Sequence, residues 1–234
     1  MTIRKREMEA GPNLMIDAHG WLWPEPADRD VVQGLAQGQV AQRAVGCDAV
    51  GHQRSPNADA RPRDVLPTLL VVHNISLPPD VFGAGDIHAL FNNTLDVEAD
   101  PYYAMLTGLR VSSHFLIARD GAVTQFVSTL ERAWHAGASV FAGRSRCNDF
   151  GIGVELEGSD TTPFAAAQYA TLARLTEAIR ARHPIDAIAG HEHIAPGRKT
   201  DPGPHFDWRH YADLARLPAA LLSSVPLPAV ARID

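Results

Sequence analysis

From Thr68 onward the apolar positions gather in short, regularly punctuated runs. Thr68-Leu-Leu-Val-Val-His73 is a β-branched run that reads as a buried strand. Arg110 to Ala118 and Ala122 to Ser128 read as two more strands, with Asp120-Gly121 between them as a hairpin turn. Phe150 to Leu156 is a further strand, in which Gly151 and Gly153 mark a bulge or a place where another group comes close. Ile87 to Phe91 and Tyr102 to Thr107 read as short helices. Leu172, Leu175 and Ile179 recur at helical spacing in a longer helix, capped by Thr162, opened by Pro163 and ended by His183-Pro184. Ala187 to His191 reads as a short strand, and Trp208 to Leu217 as a last helix stopped by Pro218. This order of elements predicts a single α/β domain, a central mixed β-sheet flanked by helices.

The flanks carry no such pattern. Residues 1–20 read as a disordered extension. Residues 21–66, rich in Pro, Gly, Gln, Asp and Arg, read as a segment wrapped over the surface. A short helix from Val31 to Val45 is expected within it, weakened by Gly34 and Gly38. The folded domain is placed at residues 67–217, and residues 218–234 are read as a loose C-terminal tail.

Composition narrows the classes. A hydrophobic content of 45% supports a real core and argues against global disorder. With Lys+Arg 21 against Asp+Glu 27, the formal charge is −6, which disfavours a nucleic-acid partner. The basic start, Met1 to Glu7, meets Gly11-Pro12 before any apolar run, and no stretch approaches the roughly 18 apolar residues of a spanning helix. Cys47 and Cys147 form no CxxC pair. The expectation is a cytoplasmic monomer with a small-molecule substrate and no membrane partner.

Histidine is over-represented, at 11 residues, and position decides which of them matter. The loop from Ala189 to Pro204 carries His191, Glu192, His193, Arg198, Lys199 and Asp201 between Gly/Pro-rich edges. His73 ends one strand and His191 another. If those strands are neighbours the two imidazoles converge, and Asp201 completes a set of three ligands. Two His and one carboxylate suit catalytic zinc, with a fourth position left to water, and also non-haem iron. A zincin is excluded, because Ala195 stands where a HExxH motif needs His. Glu155 and Glu157 share one face of their strand, where a carboxylate near a metal can take a proton from water. Lys199 can stabilise an oxyanion.

Several longer stretches then carry a resemblance. These are Leu70-Val-Val-His-Asn-Ile-Ser-Leu-Pro-Pro79, Arg110-Val-Ser-Ser-His114, Arg132-Ala-Trp-His-Ala-Gly137, Arg146-Cys-Asn-Asp149, Gly153-Val-Glu-Leu-Glu-Gly158 and Arg198-Lys-Thr-Asp-Pro-Gly-Pro-His-Phe-Asp-Trp208. In this order they closely resemble the zinc N-acetylmuramoyl-L-alanine amidases, the family that includes phage lysozyme-type amidases and peptidoglycan recognition proteins. The likeness spans Pro67 to Leu217, with an echo at Gly20-Trp21-Leu22. It implies the family's mixed sheet with helices packed on it. It also implies hydrolysis, in cell-wall recycling, of the amide between the lactyl group of (anhydro-)N-acetylmuramic acid and L-alanine. By the same resemblance Zn²⁺ sits on His73, His191 and Asp201. Glu155 is the proton acceptor and Lys199 the transition-state stabiliser, while Asn74, Arg110, Trp134 and Arg146 contact substrate. A non-catalytic muropeptide-binding module and an amidase of intact peptidoglycan are the alternatives.

Two positions depart from the family pattern. His193 stands where Asp is expected, and His205 where a small residue is expected before Phe206. Either can alter the rim of the site or compete for metal. The turn into the Pro/Gly loop favours His191 over His193 as the ligand. His114 and His135 read as buried hydrogen-bonding residues, with support of a metal ligand as the other reading. Glu157 reads as solvated or salt-bridged, and Trp134 as either core or a sugar platform.

Overall fold

The structure, a computed structural model, describes residues 12–25 and 50–222. The helix expected from Val31 to Val45 lies outside the described residues. Along the chain, β1 (Leu14–Ile16) and β2 (Leu22–Pro24) precede β3 (Val50–His52), β4 (Ala58–Ala60) and β5 (Leu69–Ile75). Helix α1 (Gly85–Phe91) and a 3₁₀ turn (Pro101–Leu106) lead to β6 (Phe115–Ile117), β7 (Val123–Gln125) and β8 (Glu131–Ala133). Then come β9 (Val140–Phe141), β10 (Arg144–Ser145), a 3₁₀ turn (Cys147–Asp149) and β11 (Gly151–Glu157). The chain closes with α2 (Ala166–Arg182), β12 (Ala187–Gly190), α3 (His191–Ile194), α4 (Trp208–Leu214) and a 3₁₀ turn (Ala219–Leu222).

The central sheet is mixed, in the order β12-β5-β11-β6-β7-β3. Strands β12, β5, β11 and β6 run parallel, β7 returns antiparallel to β6, and β3 lies parallel to β7 at the edge. Every residue of β11 is buried, as are Leu69 to His73 of β5, which is why these strands read as continuous apolar runs. The largest core packs α2 and α4 on the sheet through Leu172, Leu175, Ile179, Trp208 and Tyr211. Ile87, Phe91 and Tyr103 form a second cluster with Leu116 and Phe126. The Asp120-Gly121 turn joins β6 to β7 as expected, with Gly121 at φ +88°. Among the described residues no helix is long and apolar enough to cross a membrane.

The flanks are more structured than the sequence reading allows. Residues 14–24, split between the expected extension and wrap, form the β1–β2 hairpin, which packs on α2 and buries Ile16 and Leu22. Within the expected wrap, β3 joins the central sheet and β4 pairs with β8. Leu221 and Leu222 of the expected tail are buried in the main core. Hydrophobic burial overrides the loop-like composition at the hairpin and at Leu221-Leu222, whereas β3 and β4, only partly buried, are held by strand pairing.

Element ends differ too. Helix α2 starts at Ala166, not at Thr162-Pro163, because buried Phe164 lies over Gly158 and holds the preceding chain extended. Gln168 supplies the cap, accepting the N–H of Ala165 at 3.0 Å and donating to the Glu157 carbonyl at 2.9 Å. The strand expected from Arg110 shrinks to β6, since Ser112 instead bonds Asn57 and Trp134 through its hydroxyl. The Tyr102 helix is 3₁₀, and α4 ends at Leu214.

Candidate metal centre

Three parallel strands carry the site on their carboxyl-terminal ends, the edge at which open α/β sheets bind ligands. Gly190 of β12 pairs with Val72 of β5, so His191 and His73 each follow a paired residue. Glu155 of β11 is the register partner of His73. The chain turns at once from β12 into α3 after extended Gly190, so His191 opens a helical turn and is not the last residue of a strand.

Nδ1 of His73 lies 3.0 Å from Nδ1 of His191, and Oδ2 of Asp201 lies 2.9 and 3.0 Å from the two nitrogens. All three residues are buried, and this group can hold a metal ion. The far nitrogens are engaged elsewhere: Nε2 of His73 meets Nδ1 of His135 at 2.9 Å, and Nε2 of His191 meets the Ala136 carbonyl at 3.1 Å. Both rings therefore turn the same nitrogen, Nδ1, toward Asp201. The Asp201 loop is tied down by its own carbonyl, which accepts from the Glu192 N–H at 2.8 Å. Asn74 Nδ2, donating to the Pro202 carbonyl at 3.0 Å, holds it from the other side.

Burial governs the electrostatics. It pushes His73 down to about 4, against the hydrogen bond to Asp201, so the ring is neutral at physiological pH. Burial raises the Asp201 carboxyl, but the hydrogen bonds of His191 and His73 outweigh it and hold the group below the ordinary carboxylate range. Glu155 is driven well above its ordinary value by burial and then by the Asp201 charge, with Lys199 acting in the opposite sense. Its Oε2 is buried with no hydrogen-bond partner among the described residues. Lys199 is exposed in the turn beyond α3, its N–H bonded to the Ala195 carbonyl at 3.1 Å.

Other sequence-derived positions fall further out. His193 does not face the ligand group: its Nδ1 accepts the Gly190 N–H at 2.8 Å and its ring packs on Trp208. His205 is exposed. Glu157 is buried, not solvated, and accepts from the backbone N–H groups of Gly83 and Arg119. Asn74 spends both amide hydrogens on Asp160 and Pro202. Trp134 is half-buried and its side chain bonds Asp59. Arg146 is exposed and pairs with Asp149 at 3.3 Å, and Arg110 is exposed. Sequence reasoning gave no role to Ala136, Arg198 or Asn148: the Ala136 carbonyl meets Nε2 of His191, Nη2 of Arg198 holds that carbonyl at 2.8 Å, and Asn148 bonds the backbone behind them. Only the repetition of polar types in Arg132–Gly137 and Arg146–Asp149 pointed near them.

A mixed sheet whose parallel strands end on a His-His-Asp group, with a buried carboxylate in register beside it, defines an α/β protein with a group of side chains able to hold a metal ion. Residues 61–204 match the family model of N-acetylmuramoyl-L-alanine amidases. The 1,6-anhydro-N-acetylmuramyl-L-alanine amidase AmpD of Escherichia coli K12 is 55% identical over 166 residues, covering 69% of this chain and 91% of the relative. AmpD of Haemophilus influenzae is 50% identical over 161 residues, covering 68% and 88%. A crystal structure of a selenomethionine AmpD derivative superposes with a TM-score of 0.69 at 54% identity, covering 70% of this chain and 93% of that one. The chain belongs to the N-acetylmuramoyl-L-alanine amidase family.

Proposed function

We propose that this chain is a zinc-dependent amidase that cleaves the bond between the lactyl carbonyl of 1,6-anhydro-N-acetylmuramic acid and L-alanine in muropeptides released by cell-wall recycling. The observation that carries the reading is the meeting of His73 Nδ1, His191 Nδ1 and Asp201 Oδ2 beside Glu155, in a chain so similar to AmpD. Two imidazole nitrogens and one carboxylate oxygen are a donor set that fits catalytic zinc. Zinc held there supplies Lewis-acid polarisation and a lowered pKa for water.

The protein's own groups do the rest. Glu155 Oε2, buried and unpartnered, takes a proton from the attacking water as its oxygen bonds to the amide carbon. The Lys199 ammonium stabilises the negative charge that develops on the carbonyl oxygen. As the C–N bond breaks, Glu155 returns the proton to the departing nitrogen of L-alanine, leaving a lactyl carboxylate and a free peptide amine. Arg110 and Arg146 offer exposed guanidinium groups to peptide carboxylates, and Trp134 a ring face to sugar. Asn74 has only its amide oxygen left for substrate.

The test is release of free peptide from a purified anhydro-muropeptide, followed by mass spectrometry with and without a chelator. Cleavage that stops on chelation and returns with zinc is expected. Glu155→Gln should retain zinc and lose about 10² to 10⁴-fold in turnover. Full turnover by that variant with zinc intact refutes the role of Glu155. Binding without cleavage points to a recognition module, and preference for whole sacculi to an amidase of intact wall.

A further inference from the structure

Both imidazoles of the ligand group lean on consecutive residues of one segment. His73 meets Nδ1 of His135 at 2.9 Å, and His191 meets the carbonyl of Ala136 at 3.1 Å, each through Nε2. A ring that offers Nδ1 as a lone pair carries its proton on Nε2, so both rings donate and both neighbours accept. His135 is then the tautomer protonated at Nε2, an atom buried without a partner among the described residues. The Ala136 carbonyl is held from a second side by Nη2 of Arg198 at 2.8 Å.

One side chain fixes that segment. Oδ1 of Asn148 accepts the backbone N–H of His135 at 3.1 Å and of Ala136 at 2.8 Å. Asn148 is itself anchored, because its own carbonyl accepts from the half-buried guanidinium of Arg61 at 3.2 Å. Moving this one oxygen would move the acceptors of both ligand rings together. No role in substrate contact or proton transfer falls to Asn148, which touches neither ligand.

We propose that Asn148 is the positioning residue of the metal centre, setting the orientation and tautomer of His73 through His135 and of His191 through the Ala136 carbonyl. This rests on the metal reading above. Loss of outer partners of metal-bound histidines typically costs about 10 to 100-fold in metal affinity.

The test is the zinc dissociation constant of the full chain, measured by chelator competition on variants shown to be folded by circular dichroism. Asn148→Ala should weaken zinc binding about 10 to 100-fold. Asn148→Asp, which keeps the accepting oxygen, should restore it to within a few-fold of wild type. His135→Phe should resemble Asn148→Ala, and His135→Asn, whose oxygen can accept from His73, should rescue. In ¹⁵N spectra of the zinc-loaded wild type, His135 Nδ1 should be unprotonated and coupled across the hydrogen bond to Nε2–H of His73. This spectrum decides the matter even if Asn148→Ala does not fold. A proton on His135 Nδ1, or zinc held equally by wild type and Asn148→Ala, overturns the inference alone. A wild-type chain that takes up no zinc overturns the metal reading, and this inference with it.

Discussion

Gly153 lies directly against the imidazole of His135: a Cβ on Gly153 would stand 2.6 Å from Cγ of that ring. The glycine in the Gly-Val-Glu run is therefore room for a histidine that supports His73. Gly153→Ala should displace His135, destabilise the fold by about 1 to 3 kcal/mol and weaken zinc binding. Urea denaturation and chelator competition on the same preparation check both effects.

The two loop histidines should separate cleanly. His191→Ala removes a nitrogen of the ligand group and should abolish stoichiometric zinc after gel filtration. His193→Ala should leave zinc content unchanged and cost about 1 kcal/mol, since His193 receives the Gly190 N–H and packs on Trp208, away from the His73-His191-Asp201 group. Elemental analysis of both proteins decides; zinc lost from His193→Ala would reverse the assignment.

Arg61 is a half-buried cation that serves carbonyls in place of a carboxylate. It donates to Thr129, Asn148, Asp149 and Gly151, and burial pushes it down to about 10, still charged at neutral pH. Arg61→Met strands these acceptors and should cost about 3 kcal/mol or more in chemical denaturation. Arg61→Lys should recover little, because three donors on one nitrogen cannot replace the planar fork.

His183 should make the fold acid-sensitive. Burial pushes it down to about 4 from an ordinary value of 6.5, and its Nε2 lies 2.8 Å from Thr129 Oγ1. Below pH 6.5 the unfolded chain binds a proton that the folded chain refuses. Its contribution to stability is thus complete above about 6.5 and is lost as pH falls toward 4. The limiting slope for one such group is about 1.4 kcal/mol per pH unit. His183→Gln should show a shallower acid limb than wild type in denaturation midpoints across that window. Identical limbs would count against the assignment.

Some of this was legible from residue order. Strands β5, β11 and β12 announced themselves because a strand buried on both faces must be apolar throughout; His73 and His191 stood out as polar groups at the expected ends of two of them, and Glu155 as a carboxylate within the third. The hairpin at Asp120-Gly121 was legible because turn geometry is local. The β1–β2 hairpin, β3 and β4 were not. Each is three residues long, and Ala58 finds its partner in Ala133, a pairing no local window contains.

The amino-acid sequence alone determined the chemistry available: which strands are buried, which imidazoles and carboxylates lie at their ends, and which family pattern they follow. Only the tertiary structure decided which of those groups meet. It chose His191 over His193 by a helical turn, buried Glu157 under backbone donors, and put one asparagine behind both ligand rings. The physical reason is that composition and periodicity act over a few neighbouring residues, whereas ligand orientation is set by hydrogen bonds between segments far apart in the chain.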